Sequence, residues 1–385
     1  MSGATVLFYV QHLLGIGHVK RAVTLAHAMR DEGLEVVLVS GGEDVPVIDA
    51  GGVTFVQLPP VRAADKSFKV LLDESANPID DAWKARRRDL LLDLFQRTCP
   101  RVLILELFPF GRRQLRFELI PLLDAARAAR PRPAIVSSVR DILVEKAKPQ
   151  RNDEMVTLAI TYFDAVLVHG DPALISFDAT FPLATELKGR LHYTGYVVDR
   201  SAVAEASALP ASGEVVVSAG GGAVSEDLLR CAVEARPLTA LGDRPWRLLV
   251  GHNLPDARFD RLRADSPEGV IVERARPDFL SLLATSRLSI SQGGYNTVTE
   301  ILATGTRGVI VPYAGGEETE QTIRAGLLAE RGLVQVVEER HLDPSRLAAA
   351  AAAADATTPP AEPGVRLDGA EASAGIVAGL AKGMA

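Results

Sequence analysis

The stretch that decides the fold is SISQGGYNTVTE, residues 289–300. Its apolar start predicts the end of a buried strand, and Gly293 and Gly294 predict a sharp turn into a helix. We expect Asn296 or Thr297 to cap that helix. Glycines let a backbone approach a ligand, and a helix start supplies N–H donors and partial positive charge. A diphosphate suits such a corner, although an ordinary strand-to-helix turn explains these residues equally well in isolation.

Further glycine and acidic turns belong to the same half of the chain. Glu300 lies about one turn into the predicted helix, where a carboxylate can accept hydrogen bonds from a ribose hydroxyl pair. Glu320 and Gln321 open another helix and can bind adjacent sugar hydroxyls, or can simply form an acidic first turn. A glycine run at 220–222 follows the strand predicted at 215–218. Because all these turns follow predicted strands, together they outline a nucleotide-sugar pocket.

The composition limits the class of protein. The chain has 385 residues, 47% hydrophobic and 24% charged, which favours two globular domains. A net charge of −7 argues against a mainly nucleic-acid-binding role, since no large basic excess is available to neutralise phosphates. The two cysteines, Cys99 and Cys231, lie far apart and give neither a disulfide framework nor a zinc pattern. Without an apparent signal peptide or membrane span, a cytoplasmic protein is expected.

The first half of the chain begins with a predicted βαβ unit. An apolar strand at 6–10 is followed by the turn GIGH at 15–18, an amphipathic helix and a second strand at 36–39. The turn lacks the third glycine of a dinucleotide fingerprint, because Arg21 or Ala22 stands there. No acidic residue ends the second strand either, which disfavours nicotinamide or flavin binding.

Polar side chains follow later strands of the first half. Glu106 ends the strand at 101–106, and Asp141 follows the strand at 134–139. Open α/β sheets bind ligands at this rim. The loop LFPFGRR at 107–113 is aromatic and basic, which suits an anionic or lipid-linked acceptor; a packed loop with extended arginines is the alternative.

Residues 61–88 are polar and mixed in charge, and we expect them to shape a pocket. The three arginines at 86–88 open a predicted helix, and each one by itself is interpreted as part of a solvated face. Acceptor recognition is expected somewhere within 61–113, where no motif identifies the acceptor.

The domain organisation follows from a composition change at 199–213, which is rich in Ala, Ser and Pro. We expect a linker there, between an N-terminal acceptor-binding Rossmann-like domain at 1–198 and a C-terminal donor-binding domain at 214–365. A last helix at 366–385 is expected to pack back on the N-terminal domain. The predicted fold class is α/β, with two facing doubly wound parallel-sheet domains.

These motifs resemble the GT-B glycosyltransferases of the MurG type, and within them a group of predicted glycosyltransferases. The resemblance rests on GIGH at 15–18, SAGGG at 218–222, SQGGYNTVTE at 291–300 and Glu320-Gln321, in the same order over both halves. It implies inverting, metal-independent transfer of a hexosyl group from a nucleotide sugar, expected to be UDP-linked, to an unidentified hydroxyl acceptor. We expect no cofactor, no nucleic-acid partner and at most peripheral membrane contact.

The resemblance also assigns roles to individual residues. Glu300 would bind the ribose, while Glu320 and Gln321 would contact the donor sugar. His18 would lie near the reacting centre, across the cleft between the domains. The remaining donor-binding residues would be Gly17, Gly221, Gly222, Gly293, Gly294, Asn296 and Thr297.

Three side chains are candidates for the general base. His18 is the first, since imidazole titrates near neutrality, although a capping or core histidine is the alternative. Glu106 is the second candidate and Asp141 the third. The GIGH turn departs from the family's usual Gly-Gly-His, and Lys20 and Arg21 follow where a proline is usual. Their charge would then serve the acceptor or the diphosphate.

Two other functions remain open at this point. A nucleotide-sugar epimerase with the same architecture would need no acceptor, so it would act on the nucleotide sugar alone. A non-catalytic binder would retain nucleotide affinity without releasing the nucleotide.

Overall fold

The computed structural model describes most of the chain, and the structural statements below concern that part. Gly221 and Gly222, two of the predicted donor-binding residues, lie outside it. The described residues are 5–13, 15–45, 50–65, 69–143, 149–220, 226–252, 254–315, 319–360 and 362–383.

Strands and helices alternate along most of the chain. The strands are β1 (Thr5–Val10), β2 (Glu35–Ser40), β3 (Thr54–Gln57), β4 (Arg62–Ala63), β5 (Leu71–Leu72), β6 (Val102–Glu106), β7 (Ala134–Arg140), β8 (Ala165–His169), β9 (Leu191–Tyr193), β10 (Val215–Ser218), β11 (Trp246–Val250), β12 (Val270–Arg274), β13 (Leu288–Ser291), β14 (Gly308–Ile310) and β15 (Gln335–Val336). The helices are α1 (Gly17–Asp31), α2 (Asp81–Thr98), α3 (Arg116–Ala128), α4 (Pro149–Tyr162), α5 (Arg200–Ser207), α6 (Glu226–Ala235), α7 (Asp256–Ala264), α8 (Phe279–Thr285), α9 (Tyr295–Thr304), α10 (Glu320–Glu330), α11 (Pro344–Ala356) and α12 (Gly369–Ala381).

The chain forms two compact units, each built on one parallel sheet. Unit 1 comprises Met1–Val197 and Asp368–Ala385, and unit 2 comprises Val198–Leu367. The strand order is β3-β2-β1-β6-β7-β8-β9 in unit 1 and β12-β11-β10-β13-β14-β15 in unit 2. Both orders are doubly wound, because each sheet grows outward in both directions from its first strand. The predicted fold class of two parallel-sheet α/β domains is confirmed.

In unit 1 the first strand lies at the centre of the sheet. β1 pairs in parallel with β2 on one side and β6 on the other. Its run from Val6 to Val10 is completely buried, which explains why the sequence is continuously apolar instead of alternating. α12, from the end of the chain, packs against α1 in this unit.

In unit 2 the central strand β10 lies between β11 and β13. All four residues of β13 are buried, so the strand fixes the position of the turn that follows it. The segment expected to be a linker contains α5, whose first turn is capped by the Asp199 side chain accepting from Ala202 N at 2.9 Å. α5 packs against α8.

The arginines at the start of α2 differ from the sequence interpretation. Arg87 is completely buried and pairs with the equally buried Glu118 of α3, with 2.7 Å between Nε and Oε2. The interpretation of this arginine as a solvated residue was wrong. Every fourth residue of α2 faces the core, and Arg87 occupies one of these positions. The buried set consists of Trp83, Arg87, Leu91 and Phe95.

Among the described helices, none combines the length and the apolar character needed to cross a membrane.

Candidate functional site

The glycine corner of unit 2 joins β13 to α9. Gly294 is the N-cap residue of α9, in an extended conformation, and no side chain caps the helix. Asn296 and Thr297 lie within the first turn, so the prediction that one of them caps the helix was wrong. The helix begins earlier because Tyr295 is already packed, 4% exposed and with the guanidinium of Arg324 5.2 Å from its ring.

The two glycines of this corner have different surroundings. A Cβ on Gly293 would lie 3.1 Å from Cγ2 of Ile310 and 3.3 Å from Cβ of Gln321, so this position is closely packed. A Cβ on Gly294 would meet no described atom within 4 Å. Gly293 therefore serves packing, while Gly294 leaves open space at the N-terminus of α9.

A second glycine turn lies beside the first. Gly220, which follows β10, has φ of 64°, a conformation that favours glycine. A Cβ on Gly220 would lie 3.3 Å from Oε1 of Gln292, and Gln292 N donates to Ser218 O at 3.2 Å. The structure thus brings together the turns after β10 and β13, as their positions at adjacent strand ends require. Glu300 is in the second turn of α9, and only 6% of it is exposed.

The acidic turn at the start of α10 is held by internal contacts. Glu320 is 2% exposed and pairs with the fully buried Arg324 one turn later, with Nη1 and Oε1 3.0 Å apart. Gln321 Oε1 accepts a hydrogen bond from Tyr313 N at 3.1 Å, which fixes the segment after β14. The predicted contacts of Glu320 and Gln321 with a donor sugar stay predictions.

In unit 1 the structure brings His18 and Glu106 into direct contact. His18 is the second residue of α1, directly after Gly17, and Glu106 is the last residue of β6. His18 Nδ1 lies 2.8 Å from Glu106 Oε1. An ionised carboxylate can only accept, so Nδ1 carries the proton and Nε2 keeps its lone pair. The two leading candidates for the base therefore form one pair.

The pair has an electrostatic environment that keeps the histidine neutral. Burial lowers the pKa of His18 to about 3, against the opposing effect of Glu106, although 17% of the side chain is exposed. Burial alone would raise the pKa of Glu106, but His18 and Arg21 reverse this effect and hold it below its ordinary value. At neutral pH the site thus contains a neutral imidazole and an ionised carboxylate.

Arg21 has a role that the sequence interpretation missed. Its Nη2 donates to Glu106 Oε1 at 2.5 Å, and its side chain is 2% exposed. The sequence interpretation assigned its charge to an acceptor or a diphosphate. A signal was present in the spacing, since His18 and Arg21 are three residues apart and therefore share one face of α1.

Asp141, the third candidate for the base, is completely buried after β7. Its Oδ2 accepts from Tyr196 OH at 2.5 Å, and its Oδ1 accepts from Ile142 N at 3.0 Å. Both carboxylate oxygens therefore have partners within unit 1. A catalytic role for Asp141 stays a prediction.

His169 is a second buried histidine at the same edge of the sheet. It ends β8, and its Nε2 lies 2.8 Å from Ser138 Oγ and its Nδ1 3.0 Å from Thr194 Oγ. Burial lowers its pKa to about 3. With a hydroxyl on each ring nitrogen, His169 is a satisfied core histidine. Over the described ranges, no three His, Cys, Asp or Glu side chains come together as a metal site.

Comparison with known proteins shows that part of this chain is similar to glycosyltransferases. Residues 215–362, which cover most of unit 2, match the glycosyltransferase family 28 C-terminal domain. A Rhodopseudomonas palustris protein is 32% identical over 215 residues, 51% of this chain and 57% of the relative. A Nitrobacter hamburgensis protein is 32% identical over 186 residues, 44% of this chain and 47% of the relative. Both are named UDP-N-acetylglucosamine–N-acetylmuramyl-(pentapeptide) pyrophosphoryl-undecaprenol N-acetylglucosamine transferase.

The match covers about half the length of these curated relatives. Solved structures, by contrast, align with nearly the whole of this chain. The spinosyn forosaminyltransferase SpnP aligns with a TM-score of 0.60 at 18% identity, covering 100% of this chain and 96% of the other. The rhamnosyltransferase SpnG, solved with thymidine diphosphate, has a TM-score of 0.60 at 16% identity, covering 99% and 96%. The chain thus has a GT-B fold, and its residues 215–362 match the glycosyltransferase family 28 C-terminal domain, so its resemblance to the MurG-type glycosyltransferases is confirmed.

Proposed function

We propose that the protein is an inverting, metal-independent glycosyltransferase that moves a sugar from a UDP-sugar to an acceptor hydroxyl. The observation that carries the proposal is the open glycine corner at the start of α9, which lies inside the family 28 match. A helix N-terminus with space for a ligand suits the diphosphate of such a donor. The choice of UDP is supported by the printed names of the relatives, which specify UDP-N-acetylglucosamine.

The proposed mechanism assigns the proton transfer to the pair in unit 1. Neutral His18 removes the acceptor hydroxyl proton through Nε2 while the oxygen attacks the anomeric carbon. Glu106, hydrogen-bonded to Nδ1, stabilises the imidazolium as it forms. The bond from the anomeric carbon to the diphosphate breaks in the same step, so a single displacement inverts the configuration. N–H groups at the start of α9 stabilise the negative charge on the departing nucleoside diphosphate.

Binding of the donor is tested by thermal shift with UDP, UDP-sugars, TDP, GDP and NAD. UDP at a hundredfold excess over its Kd should stabilise the folded protein by about 2.7 kcal/mol. The Gly294→Ala variant should fold normally, because its methyl group meets no described atom, but it should lose most of the UDP shift. Gly375→Ala, at an exposed position in α12, is the matched control and should keep it.

The outcomes separate the alternatives. An unchanged UDP shift in Gly294→Ala would remove the corner from the donor site, and stabilisation by NAD alone would refute the glycosyltransferase proposal. Incubation with UDP-N-acetylglucosamine alone distinguishes an epimerase, which forms an epimer without an acceptor.

For transfer itself, His18→Ala should lower turnover about 10²- to 10⁴-fold. Near-normal turnover in this variant, with loss in Glu106→Gln, would make Glu106 the base.

A further inference from the structure

The loop after β6 holds one arginine in an unusual conformation. Arg112 has φ of 58° and Leu107 has φ of 65°, both in the left-handed region that non-glycine residues seldom adopt. Such residues cost on the order of 1 kcal/mol and concentrate at ligand sites. Arg112 Nε donates to Gln11 O at 2.8 Å, which anchors the guanidinium beside the end of β1. The loop is therefore built to hold this side chain in one place.

The anchored guanidinium keeps most of its hydrogen-bonding capacity. The bond from Nε to Gln11 O is the one hydrogen bond that the Arg112 side chain makes to the described residues, and no described carboxylate forms an ion pair with it. The side chain is half-buried. The four N–H donors on Nη1 and Nη2 thus stay available. Arg112 is close enough to the His18–Glu106 pair to lower the pKa of both residues.

Two other arginines act on Arg112 electrostatically. Burial lowers the pKa of Arg112, and Arg140 and Arg21 act in the same direction, while Glu106 opposes them. Glu106 is shared, because its Oε1 already accepts from both His18 and Arg21. The Glu106 carboxylate that acts on Arg112 is therefore already paired with Arg21. A partly buried cation without its own counter-ion is costly, and an oxyanion would offset that cost.

We propose that Arg112 is the anchor of an oxyanion-binding site beside His18, which takes a phosphate or carboxylate group of the acceptor. Arginine suits this role because its planar N–H donors bind two oxygens of one group. The assignment of that group to the acceptor rests on the proposed glycosyl transfer. The binding of an oxyanion does not depend on it.

The test uses His18 as a local reporter, so that anions bound elsewhere in the chain do not register. The full-length protein, labelled with ¹⁵N in its histidines, is titrated with inorganic phosphate at pH 7 and constant ionic strength. The His18 resonances, assigned with His18→Gln, should move saturably with phosphate but not with sodium chloride. A parallel titration with acetate separates a preference for phosphate from acceptance of any carboxylate.

Variants at two neighbouring arginines identify the anchor. Arg112→Asn keeps a residue that tolerates the left-handed conformation, and it should weaken phosphate binding at least about tenfold. Arg112→Lys keeps the charge and should bind with intermediate affinity. Arg113→Gln is the matched control, because that side chain is 61% exposed and paired with Glu154, and it should titrate like the wild type.

Two results would overturn the proposal. One is a His18 response to phosphate no larger than that to chloride. The other is the same phosphate affinity in Arg112→Asn, verified as folded by its histidine spectrum, and in the wild type. Failure of the wild type to transfer any sugar would contradict the proposed function, yet it would leave this titration unaffected.

Discussion

Replacing Glu118 with glutamine should strongly destabilise unit 1. The two Glu118 oxygens accept from Tyr9 OH at 2.5 Å and from Arg87 Nε at 2.7 Å, and both partners in the ion pair are completely buried. The variant leaves the Arg87 guanidinium buried without its counter-ion. Losing one partner of a buried pair costs about 3–5 kcal/mol. We expect the lower end, since Arg87 also donates to Gly41 O at 2.9 Å and to Gln11 Oε1 at 2.7 Å.

A double-mutant cycle separates the pair from its surroundings. Arg87→Met alone leaves Glu118 as a buried charge and should also destabilise the unit. The double variant Arg87→Met/Glu118→Gln buries no charge at this position, so it should cost at least about 2 kcal/mol less than the sum of the single variants. Arg88→Gln is the matched control on the same helix. Its ion pair with Asp89 is solvent-exposed, so the change should stay within about 0.5 kcal/mol.

The assay is urea unfolding followed by the fluorescence of Trp83, whose ring centroid lies 5.5 Å from Arg87 Cζ. Every variant is made in a Trp246→Phe background, so that the signal comes from unit 1. A cost below about 1 kcal/mol for Glu118→Gln, or strict additivity in the cycle, would refute the argument that this pair is energetically coupled.

Three further predictions follow from buried groups and from the site. The His169 pKa of about 3, against the ordinary 6.5, means that the folded state binds fewer protons than the unfolded state below about pH 6.5, so stability falls on acidification. Between pH 8 and pH 5, His169 should lower the free energy of unfolding measured in urea by about 2 kcal/mol. This contribution should disappear in His169→Gln and remain in the control variant His192→Gln. Gly293→Ala should cost about 1–3 kcal/mol because its methyl group would press on Ile310 and Gln321; an unchanged melting temperature would contradict this. Sugar transfer should proceed equally with EDTA or with added Mg²⁺, and loss of turnover in EDTA would contradict the metal-independent mechanism.

Much of the fold could be predicted because its signals are local. The buried run of β1 and the strand, glycine and helix sequence of β13 and α9 are patterns within about ten residues. Such patterns repeat along both halves, so a doubly wound arrangement follows from the preference for right-handed crossovers. The predicted cap of α9 was wrong, by contrast. The helix begins at Tyr295, because this buried residue already packs as part of it, and Gly294 is the N-cap residue.

The candidate site was predicted only in part. His18 and Glu106 were both predicted as candidates for the base, since each lies at the C-terminal edge of a strand or at the turn that follows one. Their hydrogen bond joins residues 88 positions apart in the chain, and no local pattern specifies it. The ion pair of Arg21 with Glu106 was missed for the same reason, because it joins residues 85 positions apart.

The sequence by itself determined the two parallel-sheet domains, the glycine corner and the candidate catalytic residues, because hydrophobic periodicity and turn chemistry act over short distances. Only the tertiary structure decided which of these groups meet. It paired His18 with Glu106 and buried Arg87 against Glu118, and it left the Arg112 donors without a carboxylate among the described residues. Charge–charge energies depend on burial and on distances of a few ångströms, and packing alone sets both.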